Sequence, residues 1–129
     1  MSGYLLDTNA ALIALVEPGA LSPAVRRALT RGPNVLSVVS YWEVLLKSTK
    51  GNLDVGDPRA WWLQALDQLS AVPLPLRPDH VSKLYDLPSI HKDPFDRVLI
   101  TQAMVEDIAL VTTDQALERY ASRSLRVIV

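Results

Sequence analysis

The stretch Tyr4-Leu5-Leu6-Asp7-Thr8-Asn9, continued by AALIALV at 10–16, decides the fold. Its first three residues are apolar without alternation and read as a buried strand that closes on an acid. The run after it is helical in composition until Glu17-Pro18-Gly19 breaks it. A strand apolar on both sides belongs to a parallel sheet with helices packed on each face. Segments further along the chain repeat the pattern.

Ser22-Pro23 reads as an N-cap with proline in the first helical position, opening AVRRALTR at 24–31, which stops at Gly32-Pro33. Residues 35–39 (VLSVV) predict a second strand, and Ser40 is read as the cap of a helix reaching about Lys50. Asp57-Pro58 opens another helix, carrying Trp61, Trp62, Leu63, Leu66 and Leu69. The piece at 72–76 (VPLPL) is extended but proline-rich, so it fits only at a sheet edge. Pro78 predicts a helix to Leu87. Asp93-Pro94 opens one whose Phe95, Val98, Leu99, Gln102 and Ala103 keep a period of 3.6. A strand at 109–112, a helix at 115–121 and a last strand at 125–129 complete the alternation. Strand and helix taking turns predict an α/β protein.

The chain has 129 residues, 49% of them hydrophobic, which predicts one domain over 1–129 with a core of its own. The 13 Lys+Arg nearly balance the 14 Asp+Glu. That balance excludes nucleic-acid binding by bulk positive charge, though not a local basic groove. Cysteine is absent and histidine occurs twice, at His80 and His91, so a Cys/His zinc site is out of reach. The opening meets an acid at position 7, and no apolar run approaches the ~20 residues of a membrane span. A soluble, cytoplasmic protein is expected.

In parallel α/β sheets, ligands bind outside the carboxyl ends of the strands. Four acids are assigned to that rim: Asp7, Glu43, Asp96 and Asp114. Each has a plainer use as well. Glu43 follows Ser40 by three residues and could complete a capping box. Asp96 suits a helix's first turn, and Asp114 and Asp93 could be N-caps. Asp7 alone has no evident local duty. Gathered together, such carboxylates repel one another by ~4 kcal/mol per pair at ~4 Å and an effective dielectric near 20. They must protonate, spread apart or hold a cation. An all-oxygen ligand set favours magnesium or manganese, and with it phosphodiester hydrolysis, although spacing alone leaves this one proposal among several.

The segments LLDTNAALIAL (5–15), SVVSYWEVLLK (37–47), HKDPFDRVLITQA (91–103) and LVTTD (110–114) together resemble the PIN domains of VapC toxins, the ribonucleases of type II toxin–antitoxin pairs. The resemblance implies a three-layer α/β/α sandwich with a five-stranded parallel sheet in the order 3-2-1-4-5. It implies catalytic acids at Asp7, Glu43, Asp96 and Asp114, with Mg2+ or Mn2+ held chiefly by Asp7 and Asp96. Asn9 and Thr112 match supporting polar positions, and Lys47 is expected either to pair with Glu43 one turn away or to meet substrate phosphate. RNA, a VapB-like antitoxin and a second copy of the chain are the implied partners.

Rival readings are a DNA or structure-specific nuclease, a non-catalytic interaction module and a phosphoacceptor receiver domain. The last wants paired acids after its first strand, where Asp7 stands alone. Of the remaining groups, His91 is read as a loop anchor and Arg97 as pointing away from the acids. Lys50, Arg26, Arg27 and Arg31 read as solvated helix faces or a phosphate track. Trp61 and Trp62 cannot both enter one core stripe, which makes their helix a candidate interface alongside simple core packing. With the four acids set aside, ten remain against 13 basic residues, a pattern of acidic centre and mildly basic surroundings.

Overall fold

A computed structural model describes residues 2–129. Five strands, β1 (Tyr4–Leu6), β2 (Asn34–Ser37), β3 (Ala71–Leu74), β4 (Ala109–Val111) and β5 (Val127–Ile128), form one sheet. All pairings are parallel and the order is β3-β2-β1-β4-β5. This is the predicted architecture, with the proline-bearing strand β3 at one edge. Six α-helices surround it: α1 (Thr8–Val16), α2 (Pro23–Arg31), α3 (Val38–Thr49), α4 (Pro58–Gln68), α5 (Pro78–Lys83) and α6 (Pro94–Glu106). The segment Gln115–Tyr120, expected as an α-helix, is wound as a tighter 3-10 helix.

The pleat sends successive strand residues to opposite faces. Leu5, Val35 and Leu110 join Leu99, Ile100 and Ala103 of α6 in one core layer. Leu6 and Leu36 meet Ala10 and Ala11 of α1 and Trp61 and Ala65 of α4 on the other. On that same side Tyr4, Ala109 and Val111 pack on Val25 and Ala28 of α2. Strands filled from both faces explain why the sequence shows continuous apolar runs. Gly3 lets β1 enter beside β2: at its φ of +148°, an added Cβ would come within 3.0 Å of the Pro33 carbonyl.

Two local readings need correction, and both bear on the acids. Helix α3 begins at Val38, with Ser37 accepting the Val39 N–H at 3.0 Å, so Ser40 is not the cap. Val38 and Val39 have strand-like side chains, but Ser37 ends the strand by turning its hydroxyl back to the backbone and donating to Gln102 at 2.5 Å. Glu43 therefore lies in the second turn of α3 and belongs to no capping box. Helix α1 starts at Thr8 rather than Ala10, and its cap is Asp7, whose Oδ1 accepts the Ala10 N–H at 2.8 Å. Asp7 thus has the local duty that its sequence context did not reveal. Among the described residues, no helix is long and apolar enough to cross a membrane.

Candidate metal centre

Asp7 closes β1 at the carboxyl end of the sheet and is only 4% exposed. Its second oxygen accepts a short hydrogen bond from the hydroxyl of Thr112, which is fully buried just beyond β4. That same hydroxyl oxygen accepts the Asp114 N–H at 3.0 Å, so one threonine ties two of the acids to the end of β4. Asn9 reaches across the same junction and donates to the Thr113 hydroxyl at 2.9 Å. The Asp7 carboxyl has a pKa pushed up to about 6. Burial is the main cause and the charges of Asp96 and Glu43 add to it, against lowering by the Thr112 and Ala10 hydrogen bonds.

Glu43 points inward from α3 and is also 4% exposed. Lys47, one turn on, donates to its Oε2 at 2.7 Å, the salt bridge expected at this spacing. Its Oε1 has no hydrogen-bond partner although it is buried. The Lys47 ammonium is held above its ordinary pKa by the Glu43 bond first, and by the charges of Asp93 and Asp96 as well. It therefore faces the acidic cluster.

Asp96 sits in the first turn of α6, whose N-cap is Asp93: the Asp93 Oδ1 accepts the Asp96 N–H at 3.0 Å. Capping is thus the visible work of Asp93. The Asp96 pKa is raised by burial, with contributions from the Asp93 and Glu43 charges, and lowered by its bond to His91. His91 Nε2 lies 2.9 Å from Asp96 Oδ2. Ligand atoms of His91, Asp96 and Asp114 all fall within 4.8 Å of one another. Asp114 also caps the following 3-10 helix through the Ala116 N–H at 2.9 Å.

Asp96 therefore joins two groups, an inner one with Asp7 and Glu43 and an outer one with His91 and Asp114. His91 was read only as a loop anchor. It does anchor its loop, its N–H donating to the Tyr120 hydroxyl at 2.7 Å, but its ring also turns into the site. The one available signal was its position five residues before Asp96. Arg97 points away as expected, its guanidinium donating to the carbonyls of Leu87, Pro88 and His91. Those bonds fold the 87–91 segment back over α6 and so bring His91 to Asp96.

These residues fit a hard divalent cation. Two carboxyls have pKa values raised by burial and by neighbouring negative charge, a third carries a buried oxygen without a partner, and oxygen donors dominate. Asp7 and Asp96 would hold the ion, with Glu43, Asp114 or His91 completing the set. A cation would relieve the repulsion that the folded chain otherwise carries.

A parallel sheet with converging acids at its carboxyl edge defines an acidic-site α/β protein. The PIN domain family model matches residues 4–123, and the chain belongs to the PIN domain family. Comparison with curated protein sequences gives no match. Solved structures similar to this chain include VapBC2 from Rickettsia felis bound to a promoter DNA fragment, at 16% identity and TM-score 0.68. DNA-bound VapBC from Salmonella typhimurium matches at 14% and 0.69, and VapBC-5 from Mycobacterium tuberculosis, of the VapBC toxin–antitoxin family, at 18% and 0.61. In all three, 98% of this chain and 97% of the other are covered. At these identities the likeness establishes the shared fold.

Proposed function

We infer that the chain is a VapC-type endoribonuclease, the toxin of a type II toxin–antitoxin pair, working as one PIN domain in the cytoplasm. The observation that carries the reading is the convergence of Asp7, Glu43 and Asp96 from three separate elements onto one rim, with a buried Glu43 oxygen left free. Mg2+ or Mn2+, held chiefly by Asp7 and Asp96, would supply Lewis-acid polarisation of the phosphate and favour ionisation of the attacking water. Water adds to phosphorus as the P–O bond to the leaving nucleotide breaks, and the departing oxygen takes a proton from solvent, giving one phosphate end and one hydroxyl end. Glu43 Oε1 is the acceptor for the proton of the attacking water. Lys47 holds the other oxygen of that carboxylate in place and offers the phosphate a cation. Thr112 and Asn9 fix Asp7 and the loop after β4.

The purified chain is expected to cut single-stranded RNA into discrete fragments with Mn2+ or Mg2+, and to stop in EDTA. Equal cutting of DNA of the same sequence would favour the DNA-nuclease reading. Cleavage that persists in chelator would remove the metal from the mechanism.

The exposed tryptophan is not in the helix first considered as an interface. Trp61 is buried in the core and Trp62 stacks on Tyr41 with centroids 5.0 Å apart. Trp42 of α3 is 56% exposed instead. It aligns with exposed Val38 and Leu45 at i−4 and i+3 and meets the edge of Phe95 at 5.1 Å. This stripe adjoins Glu43 and Asp96, and a second copy of the chain is its proposed cover, with the antitoxin lying across the cleft beside it. Truncation of a central aromatic anchor costs ≥ ~2 kcal/mol. Trp42→Ala is therefore expected to weaken self-association at least ~20-fold in sedimentation equilibrium. An unchanged dimer constant would free the stripe from this role.

A further inference from the structure

A wide concavity of the molecule lies away from the acids. It is a groove of about 830 Å³ between α2 and the edge strand β5, floored by Tyr4, Ala24, Ala28 and Ile128. Its walls carry Arg26, Arg27 and Arg31 from α2 and Arg126 from the turn before β5. All four arginines are exposed, none belongs to an ion pair among the described residues, and no acid lines the groove. Four unpaired guanidiniums along one channel create a local positive field in a chain of net charge −1.

A second, smaller cavity of about 280 Å³ lies at the N-terminal end of α2, bounded by its cap Ser22, by Val25 and Val129, and by Thr112 and Thr113. Thr112 is the residue bonded to Asp7, and Thr113 the one bonded to Asn9. The two cavities thus lie in sequence along α2, one beside the threonines that hold the candidate metal centre and one at the arginines. Nine helical residues span ~14 Å, and at ~3.4 Å per phosphate of a stacked strand that is about four phosphates.

We propose that the α2/β5 groove is a substrate track, in which the phosphate backbone of a single RNA strand leaving the acidic rim at Thr113 is held by Arg26, Arg27, Arg31 and Arg126. The proposal rests on the nuclease reading for the source of the strand. RNA is favoured over an acidic protein segment because four guanidiniums and no carboxylate wall the groove, while of its apolar floor Tyr4 and Ala28 are buried and Ile128 is only partly exposed, and protein docking needs well-exposed anchors. Guanidinium groups also match phosphate oxygens in pairs.

The test measures binding of a 20-nucleotide single-stranded RNA of mixed sequence to the full chain in EDTA, by fluorescence anisotropy across a salt series. The variant is Arg27→Gln, Arg31→Gln, Arg126→Gln; glutamine keeps helix propensity close to that of arginine. A control loses the same charge elsewhere, at Arg59, Lys83 and Arg123. Each single-strand phosphate contact adds ~0.7 to the slope of log affinity against log salt. The groove variant is expected to lose a slope of about 2 and to bind roughly tenfold to hundredfold more weakly at 0.1 M salt, with the control near wild type. Equal losses in both variants would overturn the track, leaving only bulk charge. Groove-dependent binding of poly-glutamate tighter than that of RNA would overturn it in favour of an acidic protein segment. Cleavage with Mn2+ is scored separately on the wild type. Cutting with groove-independent binding defeats the track alone, whereas groove-dependent binding with no cutting defeats the nuclease reading alone.

Discussion

Asp96→Asn is expected to reduce RNA cleavage by at least ~1,000-fold while the protein stays folded, a loss equivalent to ~4 kcal/mol of transition-state stabilisation. No other acid is shared by the inner group with Asp7 and Glu43 and the outer group with His91 and Asp114. Asparagine keeps the shape of the side chain, and its oxygen still accepts from His91, so the first turn of α6 has no reason to rearrange. What disappears is one negative charge at the junction, and with it a proposed ligand for the cation. Burial already pushes the Asp96 carboxyl toward its neutral form, so the neutral isostere costs the metal-free fold little. Gel analysis of RNA fragments alongside thermal denaturation checks both halves. Cleavage within tenfold of wild type would remove Asp96 from the chemistry. Asp93→Asn is the internal comparison: an N-cap that asparagine can replace should change the rate far less.

The second large effect is on stability, and its sign is opposite to that of most buried substitutions. The Asp7 carboxyl has a folded pKa of about 6 against 3.8 for the unreacted side chain. The folded state therefore binds more protons than the unfolded state between those values, and stability falls as pH rises through that window. Above it the penalty is fully developed, about 3 kcal/mol. Asp7→Asn removes the charge but can still accept the Ala10 N–H that caps α1. The metal-free variant should melt about 5–10 °C above wild type at pH 7.5 and gain little near pH 4. Adding Mn2+ should raise the wild-type melting temperature and leave the variant unmoved, because the cation offsets the repulsion only where the charge is present. Parallel stability–pH curves for the two proteins would mean that Asp7 ionises without cost. The same variant should be inactive, so stability and activity move in opposite directions at one residue.

Much of this arrangement is legible along the chain because it is locally encoded. Asp-Pro and Ser-Pro pairs mark helix starts at 22–23, 57–58 and 93–94, and proline places β3 at an edge. The helix reading fails where two local rules compete. Val38 and Val39 carry strand-like side chains, yet the chain turns at Ser37 because that hydroxyl can serve both α3 and Gln102. Misplacing that cap by three residues made Glu43 look like half of a capping box. In the structure it is a buried acid beside Asp7 and Asp96, with Lys47 as its hydrogen-bond partner. Asp7 erred in the opposite direction, looking idle when it caps α1. His91 was underread because a loop's return path depends on the bonds Arg97 makes to carbonyls at 87, 88 and 91, which no spacing records.

By itself, the sequence determined the alternation of strands and helices and the acids that end or follow the strands. Apolar runs, prolines and caps act within a few residues of one another. Only the tertiary structure decided which acids meet, since the distances among Asp7, Glu43, Asp96 and Asp114 come from sheet order and helix packing. It also decided that the exposed arginines of α2 line one open groove together with Arg126. Burial sets the state of the carboxyls in the same way: Asp7 reaches a pKa of about 6 because the folded sheet removes its water and brings other charges beside it.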